Sequence, residues 1–502
     1  MASPLFRTKS IDKLLADSEL PEHRLKKTLG ALSLTALGIG AIIGSGIFIT
    51  TGTAAAGEVD RYPSILQAPL LSALLHGSHA VGVNGRPGAG PAIALSFFLV
   101  AVVCGLAGLC YAELASMIPI AGSAYTYTYA TMGELVAWII GWDLILEYAV
   151  SNMAVAVGFS AYIDSLLAGF GLHVSDRWST PTYSPMTGWT SNYNLAGFII
   201  VMLLTVLLVV GIRESAGANN VMVAIKLAAI AAFVWAGSRY VQPVNWKPFM
   251  PNGWQGVLTG GAIVFFTYIG FDSVSTAAEE CRNPRRDIPI GILCSLGVCA
   301  LFYIGVAVVL TGMQPWNTLN NAAPVAQALQ AFHLTATERW VTVGALMGMI
   351  SSILVYQLGQ ARVWFAMSRD GLLPRAFSHV HRRFRTPDVA TWIAGLVVGI
   401  PAGMFDIGTL VNLSNIGTLF AFILVALAVL VLRRTQPDRK RGFHVPFSPW
   451  LPILSLICCF VLMASLTVEN WVRFFIWLVI GLVIYFTYSR KRSQLAREAR
   501  AN

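Results

Sequence analysis

Two stretches of this chain interrupt apolar, helix-length runs with residues able to hold a charged ligand. The first carries Gly40, Gly44, Ser45 and Gly46, a GxxxGxG spacing. The second runs through Phe266, Thr267, Tyr268, Ile269, Gly270 and Phe271 to an ionisable Asp272. A charge inside an apolar span costs about 2.5–3.5 kcal/mol on insertion scales, so such a residue usually serves a site. Glycines permit non-helical dihedrals, and the N–H groups freed where a helix restarts attract an anion such as a carboxylate. The helix dipole adds about 0.3–2 kcal/mol. Unwound carbonyls in the second stretch would accept hydrogen bonds from an ammonium group. An anion site facing a cation site suits a zwitterionic α-amino acid. The aromatics Phe265, Phe266, Tyr268 and Phe271 are placed to cover such a ligand. Close helix packing through small residues is the other reading of the glycines. Dinucleotide binding is excluded, because that fingerprint needs a preceding strand in a soluble βαβ unit.

Lys226 lies in the apolar run 221–230. It either snorkels to the inner membrane surface or is a buried amine near the first break. Burial disfavours the charged form of an amine, which would let Lys226 carry a proton. Asp143 and Glu147 are four residues apart and share a helix face. They are candidates for charge relay or side-chain selectivity together with Asp272, or for a structural network. Glu113 reads as structural. No clustered nucleophile–base pair and no metal-ligand spacing is present, so neither catalytic residues nor metal nor organic cofactor is expected, only a proton as coupling ion.

The elements that position these residues are membrane helices. The chain has 502 residues, 56% hydrophobic and 12% charged, against about 25% charged in soluble domains. Apolar runs of helical length recur throughout. The expected spans are 31–56, 91–118, 134–168, 195–211, 218–236, 255–277, 289–312, 340–367, 389–404, 408–432, 450–468 and 471–488. The net charge of +10 does not indicate nucleic acid. With twelve spans and an inside N-terminus, Lys and Arg concentrate on the cytoplasmic side, as the positive-inside rule requires. The runs Arg433, Arg434 to Arg439, Lys440, Arg441 and Arg490, Lys491, Arg492 then anchor at the inner leaflet. The charged first 29 residues show no cleavable signal peptide. The seven cysteines lie in or near spans and are expected as free thiols. The interrupted spans are the first and sixth, which fits two inverted five-helix repeats with two helices added. This divides the chain into a cytoplasmic segment 1–29, a ten-helix core 30–433, two further helices over 434–489 and a basic cytoplasmic tail 490–502. A long outer loop, 58–88, is expected to hold a short amphipathic helix over 64–75 and a turn over 84–88, as a decorated loop, an outer lid or an oligomer contact.

Several blocks carry a more specific resemblance. They are the run 38–48; Ala107, Gly108, Leu109, Cys110, Tyr111, Ala112, Glu113, Leu114; Gly122, Ser123, Ala124, Tyr125; Gly133, Glu134 through Gly141, Trp142; the run 265–272; and Glu279, Glu280, Cys281, Arg282, Asn283, Pro284, Arg285, Arg286, Asp287, Ile288, Pro289. Asp370, Gly371, Leu372, Leu373, Pro374 and Arg385, Thr386, Pro387 add two cytoplasmic loops. Through these the chain resembles the amino acid–polyamine–organocation superfamily, and within it the cationic amino acid transporter family, from about Thr28 to Arg434. The resemblance implies an all-α membrane fold of about twelve helices with five-plus-five inverted repeats and broken helices 1 and 6. It implies a substrate carboxylate on the backbone of Gly44, Ser45 and Gly46, and an α-amino group on the carbonyls of Ile42, Phe266, Thr267 and Ile269. Bacterial relatives resemble proton-coupled carriers with a Lys where sodium-coupled relatives bind the ion, and Lys226 matches that position. The chain ends after the twelfth span, as in bacterial members, while the 58–88 insertion departs from the family pattern. The expected activity is proton-coupled symport of free L-α-amino acids by alternating access in a bacterial inner membrane, with both termini cytoplasmic. An exchanger or uniporter of arginine and lysine, and a membrane amino acid sensor, are the alternatives. The amino acid and the lipid bilayer are the expected partners, with a small membrane subunit or an oligomer left open.

Overall fold

The computed structural model describes residues 6–19, 27–58, 63–68, 86–168, 171–184, 188–321 and 323–501. The described residues are mostly helical, with two short antiparallel strand pairs. Among the described residues, eight helices are long and apolar enough to cross a membrane, or nine if the bent pair Ala31–Ile42 and Gly46–Ala56 is one span. Three shorter apolar helices, Leu195–Val210, Asp388–Met404 and Trp450–Ala464, take the places of expected spans 4, 9 and 11.

Span 1 is the bent pair, turning by 43° at its break. Span 2 is Ile93–Met117 and span 3 is Glu134–Ala168. Span 5 is Ile212–Gly237, beginning directly after Gly211 and so longer than expected. Span 6 opens as Gly253–Val264 and passes into a 3₁₀ turn, Phe265–Tyr268. Span 7 is Pro284–Met313, span 8 Thr335–Arg369, span 10 Ile407–Thr435 and span 12 Val468–Ile484.

The packing partners repeat after a shift of five. Span 2 packs on span 7, span 3 on span 8, and span 4 on span 9. The inner half of span 1 packs on span 7, as the outer half of span 6 packs on span 2. Span 5 packs on spans 8 and 1, as span 10 packs on spans 3 and 6. A two-fold relation between helices 1–5 and 6–10 demands this pattern, and a midplane site between broken helices is its usual companion. Spans 11 and 12 lie outside this set, against spans 2, 3, 6 and 10.

The ends of the outer insertion are stapled to the protein. Gly57–Glu58 pairs antiparallel with Arg86–Pro87, and Arg86 bonds Glu58 at 2.9 Å and the carbonyl of Ser465 at 2.9 Å. The expected turn over 84–88 is therefore a strand at Arg86 and Pro87, because their backbone pairs with span 1's extension; 84 and 85 lie outside the described residues. Of the expected helix 64–75, residues 64–68 form a turn, with the N–H groups of Gln67 and Ala68 on the Ser64 carbonyl. The remainder lies outside the described residues.

Candidate functional site

The inner half of span 1 ends at Ile42. Ile43 leaves the helix with φ −83° and ψ 85°, and the outer half restarts at Gly46, so the non-helical residues are 43–45. Gly46 is thus a first helical residue rather than part of the break. A helix C-terminus leaves its last carbonyls without intrahelical donors. Here side chains from three other helices supply them. Lys226 of span 5 points its Nζ at the carbonyls of Ile39 (2.9 Å), Gly40 (3.1 Å) and Ile43 (3.0 Å). Ser352 of span 8 donates to the carbonyl of Ala41 at 2.9 Å. The hydroxyl of Tyr303 on span 7 lies 2.8 Å from the carbonyl of Ile42 and 2.9 Å from that of Thr267.

Span 6 breaks more extensively than the expected 266–270. Gly270 has φ 118°, and only one helical turn, Ser273–Thr276, follows. The cause is local. The hydroxyls of Ser273, Ser275 and Thr276 each donate to the carbonyl three residues back, at 2.5, 2.5 and 2.7 Å. Such bonds compete with the helical ladder.

The two breaks touch. A Cβ on Gly46 would meet Thr267 Cγ2 at 2.7 Å, and one on Gly270 would meet the Ala41 Cβ at 2.8 Å. A Cβ on Gly44 would meet Ser352 Oγ at 2.8 Å. Gly44 and Gly46 are therefore required by close approach, and Gly270 by close approach and by its dihedral. Ser45 is fully buried at the start of the outer half-helix, and its hydroxyl has no hydrogen-bond partner among the described residues. Of the four carbonyls expected to face an amino group, Ile42 and Thr267 share Tyr303, Ile269 accepts from Tyr356 at 2.8 Å, and Phe266 accepts the Ile269 N–H at 3.4 Å.

Lys226 is wholly buried, so the snorkelling reading is corrected: the carbonyls freed at the span 1 break draw the amine inward. Among the described residues it forms no ion pair. Its remaining neighbour is Ser351 Oγ at 3.5 Å, which donates to Asn219 at 2.7 Å; Asn219 in turn donates to the carbonyl of Ala36.

The carboxylates form a separate group. Asp272 accepts from the Tyr148 hydroxyl at 2.5 Å, and its other oxygen has no partner. Asp143 and Glu147 are buried; among the described residues one oxygen of Asp143 accepts no hydrogen bond, and Glu147 has the Thr418 hydroxyl as its neighbour. Tyr148, the residue after Glu147, ties Asp272 to span 3, which brings the carboxylates of spans 3 and 6 into one region. Asp143 abuts the backbone of span 10, where a Cβ on Gly417 would come within 2.5 Å of its carboxylate. Glu113 is structural, accepting from Arg433 at 3.0 and 2.6 Å and from the Val445 N–H at 2.7 Å.

Three of the four aromatics expected to cover a ligand are core. Phe265 and Phe271 pack on Phe422, with centroids 6.0 and 4.9 Å apart, and Tyr268 donates to the carbonyl of Phe97. Tyr303, Tyr356 and Ser352 are additions that sequence reasoning missed. Asn219 had a signal, since it stands seven residues before Lys226 on the same helix face.

This geometry has relatives. The profile of the amino acid permease family matches residues 29–487. The chain is 44% identical over 493 residues to a methylthioribose transporter of Bacillus subtilis, covering 98% of this chain and 99% of that one. It is 44% identical over 500 residues to a branched-chain amino acid permease of the same organism, covering 99% and 100%. A vacuolar cationic amino acid transporter of Arabidopsis thaliana is 36% identical over 444 residues, covering 87% of this chain and 64% of the relative. Broken helices in contact, a buried span 5 lysine bonded to the first of them and matches over almost the whole length together make this chain a member of the amino acid permease family, a multi-pass membrane transporter of the amino acid–polyamine–organocation superfamily.

Proposed function

We propose that the chain imports free L-α-amino acids by proton-coupled symport, alternating access around the contact of spans 1 and 6. The observation that carries this reading is the Lys226 ammonium bonded to the carbonyls of Ile39, Gly40 and Ile43 at the span 1 break. Protonated, Lys226 ties the inner half of span 1 to span 5. On losing its proton it keeps fewer donors, the tie weakens, and that half-helix can tilt to open a cytoplasmic path. The substrate carboxylate would lie on the backbone of Gly44, Ser45 and Gly46, with the idle Ser45 hydroxyl as an added donor. The α-amino group would lie on the carbonyls of Ile42, Phe266, Thr267 and Ile269. The ten-helix core 30–433 would carry transport, with spans 11 and 12 as a buttress, in a bacterial inner membrane with both termini cytoplasmic.

The carboxylates Asp143, Glu147 and Asp272 favour a second reading in which arginine or lysine is carried by exchange or uniport. Their open oxygens are able to accept a cationic side chain or to relay the proton. Relatives named for branched-chain and for cationic amino acids lie on either side of this choice. Uptake into proteoliposomes with and without an inward proton gradient tests the coupling. Lys226→Ala is expected to leave the protein folded and remove the gradient dependence; full pH-driven accumulation by that variant would sink the coupling role. Competition by alanine, leucine, arginine, lysine and methylthioribose tests the substrate class. Failure of arginine and lysine to displace alanine would remove the cationic reading, and competition by methylthioribose alone would remove the amino acid reading.

A further inference from the structure

Tyr303 stands between the two broken helices with one proton for two acceptors. Its hydroxyl lies within hydrogen-bond distance of the carbonyls of Ile42 and Thr267, yet it donates to only one at a time. The Ile42 carbonyl also accepts the Gly44 N–H at 3.0 Å, and the neighbouring carbonyls have donors of their own. Ile39, Gly40 and Ile43 face the Lys226 ammonium, Ala41 has Ser352, and Ile269 has Tyr356. The ring cannot easily swing away by chance. It is fully buried, with Tyr268 edge-on at 5.1 Å and Phe97 at 5.6 Å. The Tyr268 hydroxyl is already used on the Phe97 carbonyl.

We propose that Tyr303 is an internal competitor in the amino subsite: its hydroxyl holds the place of the substrate's α-ammonium, and a ligand with a donor at that position binds there only by replacing that hydroxyl. The proposal rests on the reading of Ile42 and Thr267 as amino-group ligands given above. An ammonium group brings three donors and satisfies both carbonyls together, so exchanging it for the hydroxyl is a net gain. The hydroxyl of a 2-hydroxy acid brings one proton, as Tyr303 does, so that exchange gains nothing. The hydroxyl of the empty carrier thus costs the amino acid and the hydroxy acid the same hydrogen bond, and an acid with no donor at that carbon nothing.

The test uses the full-length protein in detergent and its Tyr303→Phe variant. The probes are L-leucine and L-alanine, 2-hydroxyisocaproate as the hydroxy acid matching leucine, and isocaproate as the acid with no donor at that carbon. Removing the competing hydroxyl leaves the two carbonyls without it, so the variant is expected to bind the amino acids about 5–10-fold more tightly, the scale of one net hydrogen bond. It is expected to bind 2-hydroxyisocaproate more tightly by a similar factor and isocaproate no differently. Weaker or unchanged amino acid binding would overturn the proposal, as would equal tightening of isocaproate, which would mark a general relaxation of the pocket. Should the variant fail to fold, a structure of the wild type with a bound amino acid decides. The expected arrangement has the ammonium nitrogen between the two carbonyls and the Tyr303 oxygen out of reach of at least one. Both Tyr303 contacts kept, with the ammonium elsewhere, would overturn the proposal alone. No binding of any amino acid to the wild type would instead overturn the functional reading on which it rests.

Discussion

Ser45 and Gly270 show how differently two residues of one site respond to substitution. The buried Ser45 hydroxyl has no partner among the described residues, so the empty protein gains nothing from it and carries its desolvation. Ser45→Ala is therefore expected to leave the melting temperature unchanged or slightly raised, while substrate affinity falls by about 5–10-fold, the scale of one hydrogen bond. Thermal melting of the empty protein beside a binding isotherm checks the split; a drop in both would make Ser45 structural. Gly270 has φ 118°, and a Cβ there would press on Ala41 Cβ at 2.8 Å and the Tyr356 hydroxyl at 3.1 Å. Gly270→Ala is expected to cost about 1–3 kcal/mol from the dihedral alone and to abolish uptake by separating the two breaks. Gly105→Ala, with nothing within 4 Å of the new Cβ, is the matched control and should transport normally. Lys226, Ser45 and the glycines were legible in the sequence because each is the wrong kind of residue for an apolar span. Tyr303 and Tyr356 were not, because a tyrosine in such a span reads as core until its hydroxyl is found on a particular carbonyl.

Two elements meet where the start of span 1 is joined to the end of span 6. The N–H groups of Thr28 and Leu29 bond the carbonyl of Glu280, and the Arg282 N–H returns to the carbonyl of Leu29. Two ion pairs hold this joint to span 8, Glu280 with Arg362 and Glu279 with Arg369 at 3.1 Å. Glu279 also accepts the Ala121 N–H at 3.0 Å from the loop between spans 2 and 3. Any cytoplasmic opening that moves spans 1 and 6 together must part these contacts. Removing one member of a buried pair costs about 3–5 kcal/mol, because the other charge is left behind. Glu280→Gln is therefore expected to favour the inward-open state. Cys281, buried in the joint, should react faster with a membrane-impermeant maleimide in inside-out vesicles; an unchanged rate would mean the joint does not part. Glycine and Asp272 marked the sixth span as broken from sequence. Its inner half was read as helix because Ser273, Ser275 and Thr276 are ordinary helix residues until their hydroxyls turn back on their own carbonyls.

At the scale of the whole molecule, both ends of the chain meet on one face. Asp370, after span 8, accepts from Lys9 at 2.9 Å and from Tyr125 at 2.7 Å, and its carbonyl accepts the Gln494 N–H at 2.9 Å. Lys9 also bonds the Gln494 side chain at 3.0 Å. The terminal segments therefore share a side, as the clustering of Lys and Arg requires of an even number of crossings. Reporters active only in the cytoplasm, fused in turn to each end, should both be active; one active and one silent would break the twelve-span reading. The shift-by-five packing was legible only as the spacing of two odd spans, since no residue-level repeat survives in the sequence. What did survive is the physics that each half shares, an interrupted helix followed by four uninterrupted ones.

The three side chains on carbonyls 39–43 come from spans 5, 7 and 8, so three helices must release them before the half-helix moves. They behave as a coincidence lock on the inner half of span 1. Slippage, the passage of a proton without cargo or of cargo without a proton, needs the lock to yield while one catch is still engaged. A hydrogen bond to a charged group contributes about 1.5–3 kcal/mol, and about 1.4 kcal/mol is tenfold in a rate. The Lys226 catch left closed thus makes a wasted cycle roughly ten- to a hundredfold rarer, and a neutral hydroxyl catch, at about 0.5–1.5 kcal/mol, roughly two- to tenfold, so a leaky carrier is the expected phenotype when Lys226, Tyr303 or Ser352 is lost.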